Sequence, residues 1–252
     1  MNGGQNIYFG CLSGNRLKII ACASMFIDHV GLILFPEVII LRVLGRLAMP
    51  LFAFTFAEGC FYTHNKAAHF LLVFFTGIIT SVAMSFAWGE AQGNILITFS
   101  LSCLLIYATD GIKRAAFARS AAKIALNALF FAAALALSVW LCCFSPISVD
   151  YGIAGVCLPV TVRLLDFRSY GAKGALAALY TPAAVFVLFG LGLVWLAVSL
   201  GPVQVFGLLA LVPVMLYGGQ RGRRGMKYFF YVFYPAHLAL LGGIRLLLQA
   251  AA

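Results

Sequence analysis

The chain has 252 residues, of which 63% are apolar and only 10% charged. An average soluble domain is about 25% charged, so this composition excludes an ordinary water-exposed surface. The formal charge of +10 does not point to nucleic acid either, because the basic residues gather in short segments between long apolar runs, as membrane topology requires.

The apolar runs are about 17–25 residues long, enough to cross a hydrocarbon core about 30 Å thick at 1.5 Å per residue. Backbone groups in lipid must pair within the protein, which leaves helices or closed barrels. These runs are too long and too uniformly apolar for barrel strands. The expectation is an all-α, polytopic transmembrane helical bundle without strands. The polar start Met1–Asn15 precedes a full-length apolar run, with no small-residue cleavage site behind a short apolar core, so no cleavable signal peptide is evident.

In chain order the breaks predict nine spans, over 17–36, 38–59, 67–88, 94–111, 122–144, 150–166, 175–199, 203–218 and 227–248. No internal repeat or low-complexity linker interrupts them, which predicts a single domain over 1–252. With the first end in the cytoplasm, one set of loops holds Arg16 and Lys18; Lys66; Lys113, Arg114, Arg119 and Lys123; Arg163, Arg168 and Lys173; and Arg221, Arg223, Arg224 and Lys227. The opposite loops, around Glu37, Gly89–Gly93, Ser145–Val149 and Gly201–Pro202, hold no basic residue. This one-sided bias predicts a cytoplasmic N-terminus and an odd number of spans. Arg245, near the outer end of the last span, is expected to snorkel to the interface.

Ionisable side chains within a span cost about 2.5–3.5 kcal/mol each on insertion scales, so they face the bundle interior and mark sites. The first span carries Asp28 and His29, the second Arg42, Arg46 and Glu58, and the last His237. His29 lies about 17 Å above the cytoplasmic start of its helix. Arg46, on a helix descending from the tight turn at Pro36–Glu37, lies about 18 Å above the same face. The two antiparallel neighbours should therefore bring Arg46 to the Asp28–His29 pair. Arg42 shares its face, one turn away, and Pro50 should bend the helix nearby. His237 falls near the same level, and Glu58 lies near the cytoplasmic end, where it can line an entrance. Lys18 and His29 are eleven residues apart, three turns to within about 20°. One stripe of the first helix thus carries a cation at its mouth and an imidazole deep inside, suited to a phosphate-bearing donor with a long arm.

Structural readings stand beside these. An Asp–Arg pair between spans can be a clamp, Lys18 a topological anchor, and His237 a core histidine satisfied by a backbone carbonyl. His64 and His69 flank a cytoplasmic loop and are expected to be solvated. The seven cysteines (11, 22, 60, 103, 142, 143 and 157) lie in or beside apolar runs without CxxC spacing. They read as small core residues, and no His/Cys/carboxylate group has metal-site spacing, so no metal is expected.

Five stretches carry a family resemblance: Leu17-Lys18-Ile19-Ile20 through Asp28-His29; Gly45-Arg46-Leu47-Ala48-Met49-Pro50-Leu51-Phe52-Ala53; Gly93-Asn94-Ile95-Leu96; Asp150-Tyr151-Gly152-Ile153-Ala154-Gly155; and Phe233-Tyr234-Pro235-Ala236-His237-Leu238. In this order they resemble the TraX family, named for the conjugative-plasmid protein that acetylates the N-terminus of F pilin. That family belongs with the larger membrane acyltransferase-3 group, whose basic-x10-His pattern the Lys18-to-His29 spacing also resembles.

The resemblance implies a multi-pass protein of the bacterial cytoplasmic (inner) membrane that takes an acyl group from acetyl-CoA or another acyl-CoA. The acceptor would be an amine or hydroxyl, such as a pilin N-terminus or a surface glycan. In that scheme His29 is the general base, with Asp28 and Arg46 beside it. Lys18, Arg16, Arg42 and Glu58 serve the donor, and Asp150, Tyr151 and His237 are acceptor-side or supporting. Direct transfer and a covalent acyl-histidine both remain open. Two other classes fit buried Asp, His and Arg: a proton-coupled transporter or flippase, and a non-catalytic assembly factor for pili or secretion.

Overall fold

The computed structural model describes residues 7–88, 92–167, 170, 178–222 and 227–251. Arg168, Lys173, Arg223, Arg224 and the Lys227 side chain, all counted in the basic loops, lie outside the described residues. The apolar runs fold as helices that satisfy their own backbone groups. These are α1 (Gly14–Ile33), α2 (Ile39–Gly45), α3 (Ala48–Tyr62), α4 (Lys66–Trp88), α5 (Ile95–Phe117), α6 (Ala121–Cys143), α7 (Gly152–Arg163) and α8 (Pro182–Leu200). A 3-10 helix (Pro202–Ala210), α9 (Leu211–Met215) and α10 (Lys227–Ala251) complete the chain.

Among the described residues six helical segments are long and apolar enough to cross a membrane: Ile39–Tyr62, Lys66–Ser85, Ile95–Phe117, Ala121–Cys143, Pro182–Leu200 and Phe229–Ala250. Two shorter apolar helices, Gly152–Arg163 and Pro202–Met215, lie between them. The 20-residue α1 carries Arg16, Lys18 and Asp28. The protein is a multi-pass helical membrane protein.

The expectation of no strands is corrected by two short ones, β1 (Gln92–Gly93) and β2 (Ser148–Val149), which pair in parallel. Such short strands leave no periodicity to detect, yet they join two of the stretches that carried the resemblance. Asp150 N donates to the Gly93 carbonyl (3.2 Å). Asn94 caps α5 through its side chain and donates to the Gly77 carbonyl (2.8 Å).

The chain divides into two compact units, residues 1–8 with 56–192, and 9–55 with 193–252. In the first, α5, α6 and α7 pack round Leu101, Leu105, Ala134 and Val156, and α4 packs against α5. Polar side chains bond across its helices, as in lipid where such groups need protein partners: Thr98 Oγ1 donates to the Asp150 carbonyl and Ser102 Oγ to the Val156 carbonyl, both at 2.7 Å.

In the second unit α1 packs against α2 and α10. Small residues make the α1–α2 approach close. A Cβ on Gly31 would stand 2.7 Å from the Leu41 Cβ, and one on Gly45 would stand 2.1 Å from Asp28 Oδ1. Ser24 Oγ donates to the Leu44 carbonyl. The segment before α1 runs alongside the segment before α10, with Leu12 bridged in parallel to Tyr217.

Candidate functional site

The second unit brings together Asp28 and His29 of α1, Arg42 and Arg46 at the end of α2, Gln204 of the 3-10 helix and His237 of α10. α2 ends at Gly45 and α3 starts at Ala48, so the bend expected near Pro50 is a turn through Arg46 and Leu47. Pro50 falls in the first turn of α3, where its missing N–H has no helical partner to lose.

Asp28 is buried and takes both arginines. Its Oδ2 accepts from Arg42 Nη1 at 2.6 Å, and its Oδ1 accepts from Arg46 Nη2. Arg46 also donates from Nε to the Arg42 carbonyl (3.1 Å) and from Nη1 to Gln204 Oε1 (3.3 Å). Two guanidinium groups on one carboxylate leave a surplus positive charge. Arg46 only donates, so the Gln204 oxygen must face it, and the Gln204 Nε2 is buried with no hydrogen-bond partner among the described residues. A buried donor left unmatched is costly unless a ligand completes it. Nothing but a polar residue within an apolar run marked Gln204 in the sequence.

The next residue, His29, turns about 100° round α1 and meets α10. The tautomers follow from the hydrogen-bond network. His237 Nδ1 lies 2.8 Å from the Phe233 carbonyl, which can only accept, so Nδ1 carries the proton of the neutral ring. His237 Nε2 is then an acceptor, 3.0 Å from His29 Nδ1, which also lies 3.0 Å from the Met25 carbonyl. His29 Nδ1 is therefore the shared donor, and its Nε2 keeps a free lone pair. The His237 ring is held by Phe233, stacked at 5.0 Å and 13°.

Lys18 and His29 do share one stripe, and the stripe faces α10. Lys18 Nζ lies over the Phe230 ring at 5.2 Å, and the His29 and His237 rings are 4.9 Å apart. Arg16 is exposed, donates to the Cys11 carbonyl (3.3 Å) and lines a cavity of about 570 Å³ with Gly10–Ser13, Asn15, Gly218 and Gln220. The cavity opens at the N-terminal end of α1, which Ser13 caps.

Glu58, Asp150 and Tyr151 belong to the other unit. Glu58 is buried. Asp150 and Tyr151 connect β2 to α7, with Tyr151 in the left-handed region at φ 62°. His64 is exposed, but His69, expected to be solvated, is buried and bonds through Nδ1 to the Tyr107 hydroxyl (2.8 Å). Arg163 and Lys113, counted as loop cations, are also buried. Arg163 Nη2 pairs with Asp110 (3.2 Å) and Nη1 with Asp166, while Lys113 Nζ donates to the Arg163 carbonyl (2.6 Å). Tyr170 donates to the Asp110 carbonyl (3.1 Å), and burial, then the Asp110 charge, pushes its phenol well up. Counting basic residues by loop hides such a cluster, because it treats every cation at a helix end as solvated. Of the cysteines read as core residues, Cys11 and Cys143 are exposed.

The model of the TraX protein family matches residues 13–245. A probable fimbrial assembly protein FimC, serogroup H1, of Dichelobacter nodosus is 29% identical over 97% of this chain and 99% of its own length. Protein TraX of Escherichia coli is 30% identical over 91% of this chain and 86% of its own. An uncharacterized protein of Rickettsia prowazekii (strain Madrid E) is 38% identical over 36% of this chain and 35% of its own. No solved structure matches the chain.

Proposed function

The chain belongs to the TraX family, and from that premise we propose that it is a membrane-embedded acyltransferase moving an acyl group from acyl-CoA to an amine or hydroxyl. The observation that carries the reading is the His237–His29 relay, which leaves His29 Nε2 unprotonated beside a cluster with surplus positive charge.

In this reaction His29 Nε2 takes the proton of the acceptor N–H or O–H as that atom attacks the thioester carbon. His237 Nε2 accepts from the opposite nitrogen, Nδ1–H, and so stabilises the imidazolium that forms. The developing oxyanion is met by the arginines and by the unmatched Gln204 amide, groups worth most where water is excluded. The C–S bond then breaks, and the departing CoA sulfur recovers the proton. Arg16 and Lys18 suit the donor's phosphates at the open end of α1, where the helix dipole also favours anions. The rise from Lys18 to His29 is about 17 Å, a span for an extended donor arm.

The same reading takes nine spans with a cytoplasmic N-terminus in a bacterial inner membrane. It takes a pilin N-terminus or another surface molecule as acceptor, in keeping with the pilus-related name of the Dichelobacter relative. The test is acetyl-CoA turnover by the purified chain, comparing wild type with His29→Ala at matched helicity and monodispersity. The expected loss is about 10²–10⁴-fold, the range of general acid–base catalysis. Wild-type turnover in His29→Ala would remove the assignment.

A further inference from the structure

Three helices of the other unit converge on a group that takes no part in the acyl-transfer reading. Cys60 lies in the last turn of α3, His69 in the first turn of α4 and Cys103 in the middle of α5. All three are buried, Cys60 at 1% and Cys103 at 0% exposure, and their ligand atoms lie within 4.8 Å of one another. Cys103 Sγ is 3.9 Å from His69 Nδ1, and the same nitrogen is 2.8 Å from the Tyr107 hydroxyl. Cys103 and Tyr107 are one turn apart, on one face of α5.

We propose that Cys60, His69 and Cys103 form a structural zinc site. A tetrahedral ion with Zn–S of about 2.3 Å and Zn–N of about 2.0–2.1 Å sets sulfur and nitrogen about 3.5–3.6 Å apart, a few tenths of an ångström inside the distance seen. Two sulfurs and one imidazole are a soft to borderline donor set, which excludes magnesium and calcium in favour of zinc. Charge favours it too: both cysteines bind as thiolates, two protons leave, and the two negative charges cancel the ion in a setting where a lone charge is costly. Zinc takes the Nδ1 lone pair with the ring proton on Nε2, and Tyr107 gives up its bond to Nδ1. The Tyr107 oxygen, 2.8 Å from His69 Nδ1, is at hand for a fourth position.

The imidazole is held in advance. Phe56 stacks on it at 5.4 Å and 28° and stacks on Phe99 at 4.8 Å and 13°. Asn65 caps the start of α4 through the Ala68 amide (2.9 Å), which fixes the turn between Cys60 and His69. An ion here ties α3, α4 and α5 together at the end where α3 and α4 join.

The experiment uses the full chain purified in detergent, with zinc measured by elemental mass spectrometry and Co²⁺ as an optical probe. About one zinc per chain is expected for a single such site, together with a thiolate-to-cobalt charge-transfer band on exchange. Cys60→Ser and Cys103→Ser should each lose the band, and Cys157→Ser should keep it. Should the variants fail to fold, the wild-type chain decides alone. Zinc well below stoichiometric with no cobalt band, or a Cys60–Cys103 disulfide in the peptide map, would overturn the site. Because the readout is metal content, it stands or falls apart from acyl transfer.

Discussion

His237 supports His29 as an acceptor, so what matters at this position is a lone pair directed at His29 Nδ1. Replacement by Gln keeps a carbonyl oxygen that can accept, whereas Leu keeps bulk without an acceptor. Acyl transfer should fall further in His237→Leu than in His237→Gln, with kcat lowered more than KM is raised. Equal losses in two equally folded variants would show that the ring acts by packing alone, as the core-histidine reading holds. The charged members of this site were legible because an ion within a span needs a reason, and rise per residue put Asp28, His29 and Arg46 at one level. Gln204 was not legible. A neutral amide in an apolar run meets no such test, and only Arg46 facing its oxygen exposes the unmatched nitrogen. Asp110, Arg163 and Asp166 escaped for another reason: each sits near a predicted span end, where charges pass as solvated, although all three are buried.

At the scale of elements, the site depends on how closely α2 meets α1. A Cβ on Gly45 would fall 2.1 Å from Asp28 Oδ1 and 2.2 Å from Asp28 Cβ. Gly45→Ala must therefore push α2 away or turn the Asp28 carboxylate off its arginines. Overpacking of this kind costs about 1–3 kcal/mol. The expected outcome is a lower melting temperature and a loss of turnover, whereas Gly242→Ala in α10, where an added Cβ meets nothing within 4 Å, should change neither. Unaltered stability and turnover in Gly45→Ala would show that the α1–α2 contact yields freely. The 3-10 stretch is the element that sequence periodicity reads worst. Pro202–Ala210 was expected as the start of an ordinary span, yet its threefold period places Gln204 and Gly207 in line. Gly207 there lies close to α2, since its Cβ would stand 3.4 Å from the Arg46 carbonyl.

At the scale of the whole molecule, the direction of two helices constrains how often the chain crosses. Along α1, Lys18 meets Phe230 and His29 meets His237, so contacts climb both helices in the same sense. The segments leading into α1 and α10 are likewise bridged in parallel at Leu12 and Tyr217. Under the proposed reading, in which both helices cross, two parallel spans are separated by an odd number of crossings, which makes the total from first to last odd. Six long segments are apolar enough to cross; the proposed reading adds the two shorter apolar helices and α1 to reach nine, an odd number as the one-sided basic residues lead one to expect. The orientation proposed from charge can be tested with cysteines already present. Cys11 precedes α1 and Cys143 ends α6, and both are exposed. A membrane-impermeant thiol reagent should label Cys143 from outside spheroplasts and Cys11 only in inverted vesicles, with Cys143→Ser and Cys11→Ser identifying each signal. Labelling of Cys11 from outside would reverse the orientation and put the Arg16 cavity on the side without acyl-CoA. Both residues reacting from one side would make the number of crossings between them even, against the five that α1, α2–α3, α4, α5 and α6 supply in the proposed reading.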